Sequence, residues 1–298
     1  MSEVALNFSR AEYAQRLAKV RDAMAERGVA TLIVHDPSNM AWLTGYDGWS
    51  FYTPQCVVVG QHGEPLWFGR GIDANGARLT VYLAEENIAS YSDRYVMNPP
   101  HHALDYLCQE VLSARGWGGG VIGVEMDNYY YSATSHQTLL RGLPQAQLVD
   151  ATGLVNWCRA IKSSREIEYM RVAARIVENM HRAIIEMVEP GLPKNVLVGE
   201  IYRVACVGHD GKFGDYPAIV PMLPSGKDAS APHLTWDDRP FKKGEGTFFE
   251  IAGCHKRYHC PLSRTLFLGE PSAAFRKAEE AINAGLEAGL ALAKPGNT

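Results

Sequence analysis

Four features are scarce in this 298-residue chain, and each scarcity removes a class of explanation. There is no C-x-x-C: six cysteines are scattered along the chain, which argues against a disulfide framework and points to free thiols in a reducing compartment, the cytoplasm. Long apolar runs are missing. Thr31-Leu32-Ile33-Val34 and Cys56-Val57-Val58-Val59 fall far short of the roughly 20 residues a spanning helix needs, so no membrane segment is expected. Basic residues are not in excess: 29 Lys and Arg face 33 Asp and Glu, for a net charge of −4. That balance excludes a nucleic-acid footprint, and no like-charge run suggests a membrane-surface patch. The start, Met1-Ser2-Glu3-Val4-Ala5, lacks a basic segment followed by an apolar one, so no signal peptide is expected.

What is present is core-forming material, with 46% hydrophobic residues in a chain long enough for two domains. Ser9 and Glu12 form a capping box, Tyr13, Leu17, Val20 and Met24 recur at helical spacing, and Gly28 supplies the stop. Strand signals at 30–34, 56–60, 65–68, 121–125 and 147–149 alternate with helix signals at 74–85, 103–114 and 133–141. The alternation predicts an α/β domain with a mixed sheet over residues 1–160.

A linking helix is expected over 151–161, and a second capping box, Ser163 with Glu166, opens a long helix to Met187 that Pro190-Gly191 ends. Over 161–298 the texture changes. Asn195 is positioned to cap a helix over 196–207, strands are predicted at 216–222, 246–252 and 262–268, and a helix at 273–293 stops before Lys294-Pro295-Gly296. A helix–Pro-Gly–helix–strands unit thus reads as one complete copy and one cut short.

The chemistry-bearing residues gather between His233 and Thr265. Glu250 stands in the apolar run Thr247-Phe248-Phe249-Glu250-Ile251-Ala252, where a carboxylate is costly unless it is paired or functional. Arg264, in a second apolar strand, is either its structural partner or a holder of a substrate carboxylate. His233, in the loop Ala231-Pro232-His233-Leu234, is of a type suited to general acid–base work, although a lone loop histidine is often incidental. Cys254, His255, His259 and Cys260 invite a zinc reading, but adjacent strand residues face opposite sides, which favours substrate contact or packing. The run Trp49-Ser50-Phe51-Tyr52 is either core or one wall of a pocket for an organic cation. Tyr129-Tyr130-Tyr131 reads as packing.

Two segments carry a family likeness. Asn39-Met40-Ala41-Trp42-Leu43-Thr44-Gly45-Tyr46 resembles an N-x-x-Y-L-T-G-Y landmark, and Arg159-Ala160-Ile161-Lys162-Ser163-Ser164-Arg165-Glu166-Ile167 resembles R-x-I-K-S-x-x-E-I, both found in creatinase- and prolidase-type proteins. With residues 233–265 they cover nearly the whole chain. The resemblance implies an α/β N-terminal domain and an α+β "pita-bread" C-terminal domain of two similar halves, the second incomplete at residue 298, since a further histidine motif and glutamates normally follow.

Metal-dependent members resemble D-x-G-x-x-x-x-G-Y-x-S-D-x-T-R-T where this chain runs from Glu250 to Thr265. Tyr258, Arg264 and Thr265 match, Glu250 replaces the first ligand aspartate, and Pro261 replaces the second. The resemblance therefore implies a hydrolase without metal or cofactor, most like members that open a cyclic amidine bearing a carboxylate. Creatinase lacks a carboxylate at the Glu250 position and has one where Ser263 stands, while His233 matches its catalytic histidine.

The expected catalytic pair is Glu250 and His233. The expected substrate contacts are Arg264, Tyr258, His259, His255, Tyr52, Phe51 and Trp49. The last three would close the site of a partner subunit in a homodimer. A metal-dependent Xaa-Pro aminopeptidase or prolidase, a creatinase-type amidinohydrolase and a non-catalytic peptide-binding module are the alternatives.

Overall fold

The structure is a computed structural model and describes residues 4–297. The chain divides after Ser163 into two compact units.

In the first unit, Ser9 caps α1 (Arg10–Glu26) by accepting from the Glu12 amide, and Tyr13, Leu17, Val20 and Met24 are buried along one stripe. Six strands form a mixed sheet: β1 (Thr31–Val34), β2 (Cys56–Gly60), β3 (Leu66–Arg70), β4 (Ile88–Tyr91), β5 (Gly120–Val124) and β6 (Ala146–Asp150), in the order β4-β3-β2-β1-β5-β6. The β1–β2 and β2–β3 pairs are antiparallel, and the β3–β4, β1–β5 and β5–β6 pairs are parallel. Ile33, Val58, Phe68, Ile122 and Val124 enter a cluster with α4 (Ala103–Tyr106) and α5 (Ala133–Gly142). The intervening Leu32, Val57, Val59 and Trp67 are buried as well, so the central strands are covered on both faces and read as unbroken apolar runs.

Asn39–Tyr46 owes its pattern to α2 (Pro37–Thr44) and its cap. Asp36 accepts from the amides of Ser38 and Asn39, and Gly45 ends the helix at φ 86°. A Cβ at Gly45 would stand 2.8 Å from the Tyr13 hydroxyl and 2.9 Å from the Thr80 carbonyl. Asn39 is a junction: its amide nitrogen donates to Glu125 Oε1 at 2.6 Å and its carbonyl oxygen accepts from Arg159 at 2.7 Å. The two family landmarks therefore meet through one hydrogen bond.

Several expected elements are shorter or different. The helix expected over 74–85 is α3 (Ala74–Thr80), because Val81 is already extended. The helix over 103–114 widens into a π-helical turn at Leu107–Leu112. The linking helix is only α6 (Leu154–Cys158).

The second unit is built on α7 (Ser164–Met187), α8 (Lys194–Val207) and the hairpin of β7 (Gly246–His255) and β8 (Tyr258–Phe267). Asn195 is not the cap of α8. Pro193 takes that position, and the free amides of Lys194 and Asn195 donate instead to the carbonyls of Arg239 and Asp237. The strand expected over 216–222 is an irregular strap, since Pro217 and Pro221 lack the amides a ladder requires; bridges survive at Met222–Glu250 and Ser225–Thr247.

Helix α9 (Ala273–Leu292) buries none of its residues, and Ile282, Leu286 and Leu290 repeat along it exposed. Among the described residues no helix is long and apolar enough to cross a membrane.

Candidate active site

The β7–β8 register sorts the candidate residues onto two faces. Glu250 pairs with Ser263, Ala252 with Pro261 and Cys254 with His259. Paired residues project to the same side and neighbours alternate, so these six share one face. Phe249, Ile251, Gly253 and His255, with Arg264, Leu262, Cys260 and Tyr258 opposite them, form the other.

Helix α7 lies on that second face. A Cβ at Gly253 would stand 2.2 Å from the Ala173 carbonyl oxygen and 2.7 Å from the Val177 amide, so only glycine permits this approach. Phe249 and Ile251 are buried there against Val172, Ile176, Val177 and Met180.

Three expected substrate contacts are thereby placed away from Glu250. His255 is buried, its Nδ1 donates to the Phe213 carbonyl at 2.9 Å, and its ring packs on Tyr169 and Phe213. The Tyr258 hydroxyl donates to Glu166 Oε1 at 2.7 Å. Arg264 lines a shallow groove beside Glu178, His181 and Arg182 of α7, and its guanidinium donates to the Ser263 carbonyl. The alternation of the strands, not distance along the chain, keeps Arg264 from bracing Glu250.

Glu250 is half-buried, and its carboxylate forms no ion pair or side-chain hydrogen bond among the described residues. Its backbone is fixed on both edges: β8 lies on one side, and on the other the Met222 amide donates to the Glu250 carbonyl at 3.1 Å while the Glu250 amide donates back at 2.9 Å. His259, on the same face, is committed elsewhere. Its Nε2 accepts from the Ala218 amide at 2.9 Å and its Nδ1 lies 3.1 Å from the Arg257 carbonyl. Burial holds the imidazole pKa below its usual range. His233 sits exposed in the loop after Ser230 and makes no hydrogen bond with Glu250 among the described residues.

In the first unit, Trp49, Phe51 and Tyr52 do come together. Trp49 lies 5.1 Å from Phe51 and 5.8 Å from Tyr52 between ring centroids, and Tyr130 joins at 5.7 Å from Phe51. Trp49 and Tyr52 are exposed, and the Ser50 hydroxyl beneath them donates to Asp73. The tyrosine run expected to pack is split: Tyr131 is buried, whereas Tyr129 is fully exposed.

The residues present do not fit a two-metal centre. Pro261 and Ser263 stand where a second carboxylate would be needed on the Glu250 face, and no group of three or more His, Cys, Asp or Glu among the described residues could hold an ion. Sequence reasoning missed the strap over residues 213–222, including Asp215, whose carboxylate accepts from the Arg257 amide at 3.1 Å. Its two prolines, Pro217 and Pro221, were the available signal.

Comparison with known proteins agrees with this architecture. Residues 16–161 match the Creatinase/Prolidase N-terminal domain, and residues 168–298 match Metallopeptidase family M24. The chain is 62% identical over 302 aligned positions to an ectoine hydrolase of Halomonas elongata, covering 100% of this chain and 76% of that protein. It is 27% identical to a creatinase of a Bacillus species, covering 97% and 68%. Among solved structures, a prolidase of Thermococcus sibiricus superposes with a TM-score of 0.77 at 18% identity, covering 93% of this chain and 71% of that one. The chain belongs to the creatinase/prolidase family, with the N-terminal α/β domain and pita-bread domain of that family.

Proposed function

We propose that this protein hydrolyses ectoine, the carboxylate-bearing cyclic amidine, to an N-acetyl-2,4-diaminobutyrate, and does so without a metal. The observation that carries the reading is the 62% identity to ectoine hydrolase along the entire chain. The unpaired Glu250 carboxylate, set on a face where Pro261 replaces a ligand, supports the metal-free form of it.

Water adds across the amidine carbon: its oxygen bonds to that carbon, one carbon–nitrogen bond breaks, and a proton ends on the departing ring nitrogen. Glu250 is the group to pair with the amidinium and to activate the water or attack the carbon itself. His233 is assigned the proton transfer, with its loop closing toward Glu250 when substrate binds, since catalytic hydrogen bonds are often long before substrate arrives. The aromatic group of Trp49, Phe51 and Tyr52 offers π-faces to a cation and is assigned to the wall of a site in a cytoplasmic homodimer. The working boundary between the domains lies near residue 160.

The test is ring opening of ectoine followed by NMR, with and without a chelator. Unchanged turnover in chelator and loss of at least about 100-fold in Glu250→Gln are expected. Turnover of creatine but not ectoine would overturn the substrate, and activity restored only by a transition metal would overturn the metal-free chemistry.

A further inference from the structure

The tip of the β7–β8 hairpin is built against backbone preference. Lys256 and Arg257 both occupy the left-handed region, at φ 52° and 65°, where two-residue hairpin turns normally use Asn-Gly. Neither residue is glycine, so the turn is maintained by contacts outside it. One short segment, residues 213–218, supplies several of those contacts.

The Lys256 ammonium lies 5.0 Å from the centre of the Phe213 ring, and the Arg257 guanidinium 4.0 Å from that of Tyr216. The Arg257 amide donates to Asp215, the Asp215 amide donates to the Cys254 carbonyl at 2.9 Å, and His255 donates to the Phe213 carbonyl. His259 completes the set from the Glu250 face by accepting the Ala218 amide. The strap so gripped then reaches Met222, which is bonded twice to the backbone of Glu250.

The His259 ring has a specific form. Because Ala218 N–H can only donate, Nε2 is the unprotonated nitrogen, and Nδ1 carries the proton toward the Arg257 carbonyl. One planar group thus supplies an acceptor to the strap and a donor to the turn. Both nitrogens are used, which leaves none for the substrate contact expected from sequence.

We propose that His259 is a positioning residue: as neutral imidazole it clamps the strap of residues 213–222 along the Glu250 strand and so sets the wall beside the reacting carboxylate. This rests on the assignment of Glu250 as the reacting group. Glutamine can return the acceptor to Ala218, whereas phenylalanine keeps the ring volume and loses both hydrogen bonds.

The experiment compares the wild-type chain with His259→Phe and His259→Gln by hydrogen exchange at the Ala218 amide and by steady-state ectoine hydrolysis. In His259→Phe, Ala218 exchange rises about tenfold, the equivalent of one neutral hydrogen bond, and kcat falls about tenfold while KM changes less than about twofold. His259→Gln restores both within about threefold. Equal exchange in all three proteins would overturn the clamp. Faster exchange in His259→Phe with unchanged kcat would overturn the positioning role. A wild-type chain that leaves ectoine intact while its strap still depends on His259 would overturn the substrate assignment and leave the clamp standing.

Discussion

His35 offers a pH-dependent test of the first unit that needs no substrate. Its side chain is 1% exposed, its Nδ1 lies 3.0 Å from the Gln55 carbonyl, and its ring lies 4.9 Å from that of Tyr131. Nε2 is buried and has no hydrogen-bond partner among the described residues. Burial is the dominant influence and lowers the imidazole pKa from 6.5 to about 4, against a smaller opposing pull from the Gln55 carbonyl.

The folded protein therefore refuses a proton that the unfolded chain accepts below pH 6.5. Unfolding is favoured progressively as pH falls through the window from 6.5 to about 4. Between about pH 7.5 and about pH 5 the loss from this one residue is about 2 kcal/mol. Glu125 acts in the opposite sense: burial raises its pKa, so protonation favours the folded state as pH falls through the raised value.

His35→Asn separates the two effects. It keeps an amide donor for Gln55, does not titrate and leaves Glu125 in place. Loss of ring packing lowers its stability by about 1–3 kcal/mol at every pH. Its stability should then fall about 2 kcal/mol less than that of wild type between the two pH values. Urea unfolding followed by tryptophan fluorescence reads the correct unit, because Trp42, Trp49, Trp67, Trp117 and Trp157 lie in it and only Trp236 lies in the other. Parallel losses in the two proteins would refute the argument.

Two further substitutions test the second unit. Gly253→Ala forces a methyl into the backbone of α7 and should destabilise the unit by at least about 2 kcal/mol; a melting temperature within about a degree of wild type would contradict the packing. Tyr258→Phe removes the hydroxyl that donates to the buried Glu166 carboxylate and should cost about 1.5–3 kcal/mol in urea unfolding, with no change expected if the 2.7 Å bond does not form in solution.

The particular failures of sequence reasoning share a physical pattern. The N-cap at Ser9 was legible because a helix start is a local event: one side chain satisfies an amide three residues on, although the Glu12 carboxylate accepts from Arg16 and Ser163 rather than completing a capping box. Asn195 misled because the α8 amides are satisfied by carbonyls more than 40 residues away, at Asp237 and Arg239. The 213–222 strap misled because its apolar content suggested a strand while its prolines forbade a full ladder.

For the site, a carboxylate in an apolar run singled out Glu250 and the family likeness set Glu250 and Pro261 against two ligand aspartates, but neither told which neighbours Glu250 would have. That depended on strand register. A carboxylate at 250 shares a face with a residue at 263 and not 264 because side chains alternate with a period of two, and a shift of one residue would exchange every partner.

The sequence alone thus determined the two-domain α/β and pita-bread plan, through periodicity, caps and family landmarks. The tertiary structure decided that His255, Tyr258 and Arg264 lie on the face turned from Glu250, and that His259 binds backbone on both sides. These are consequences of long-range pairing, which no local propensity encodes.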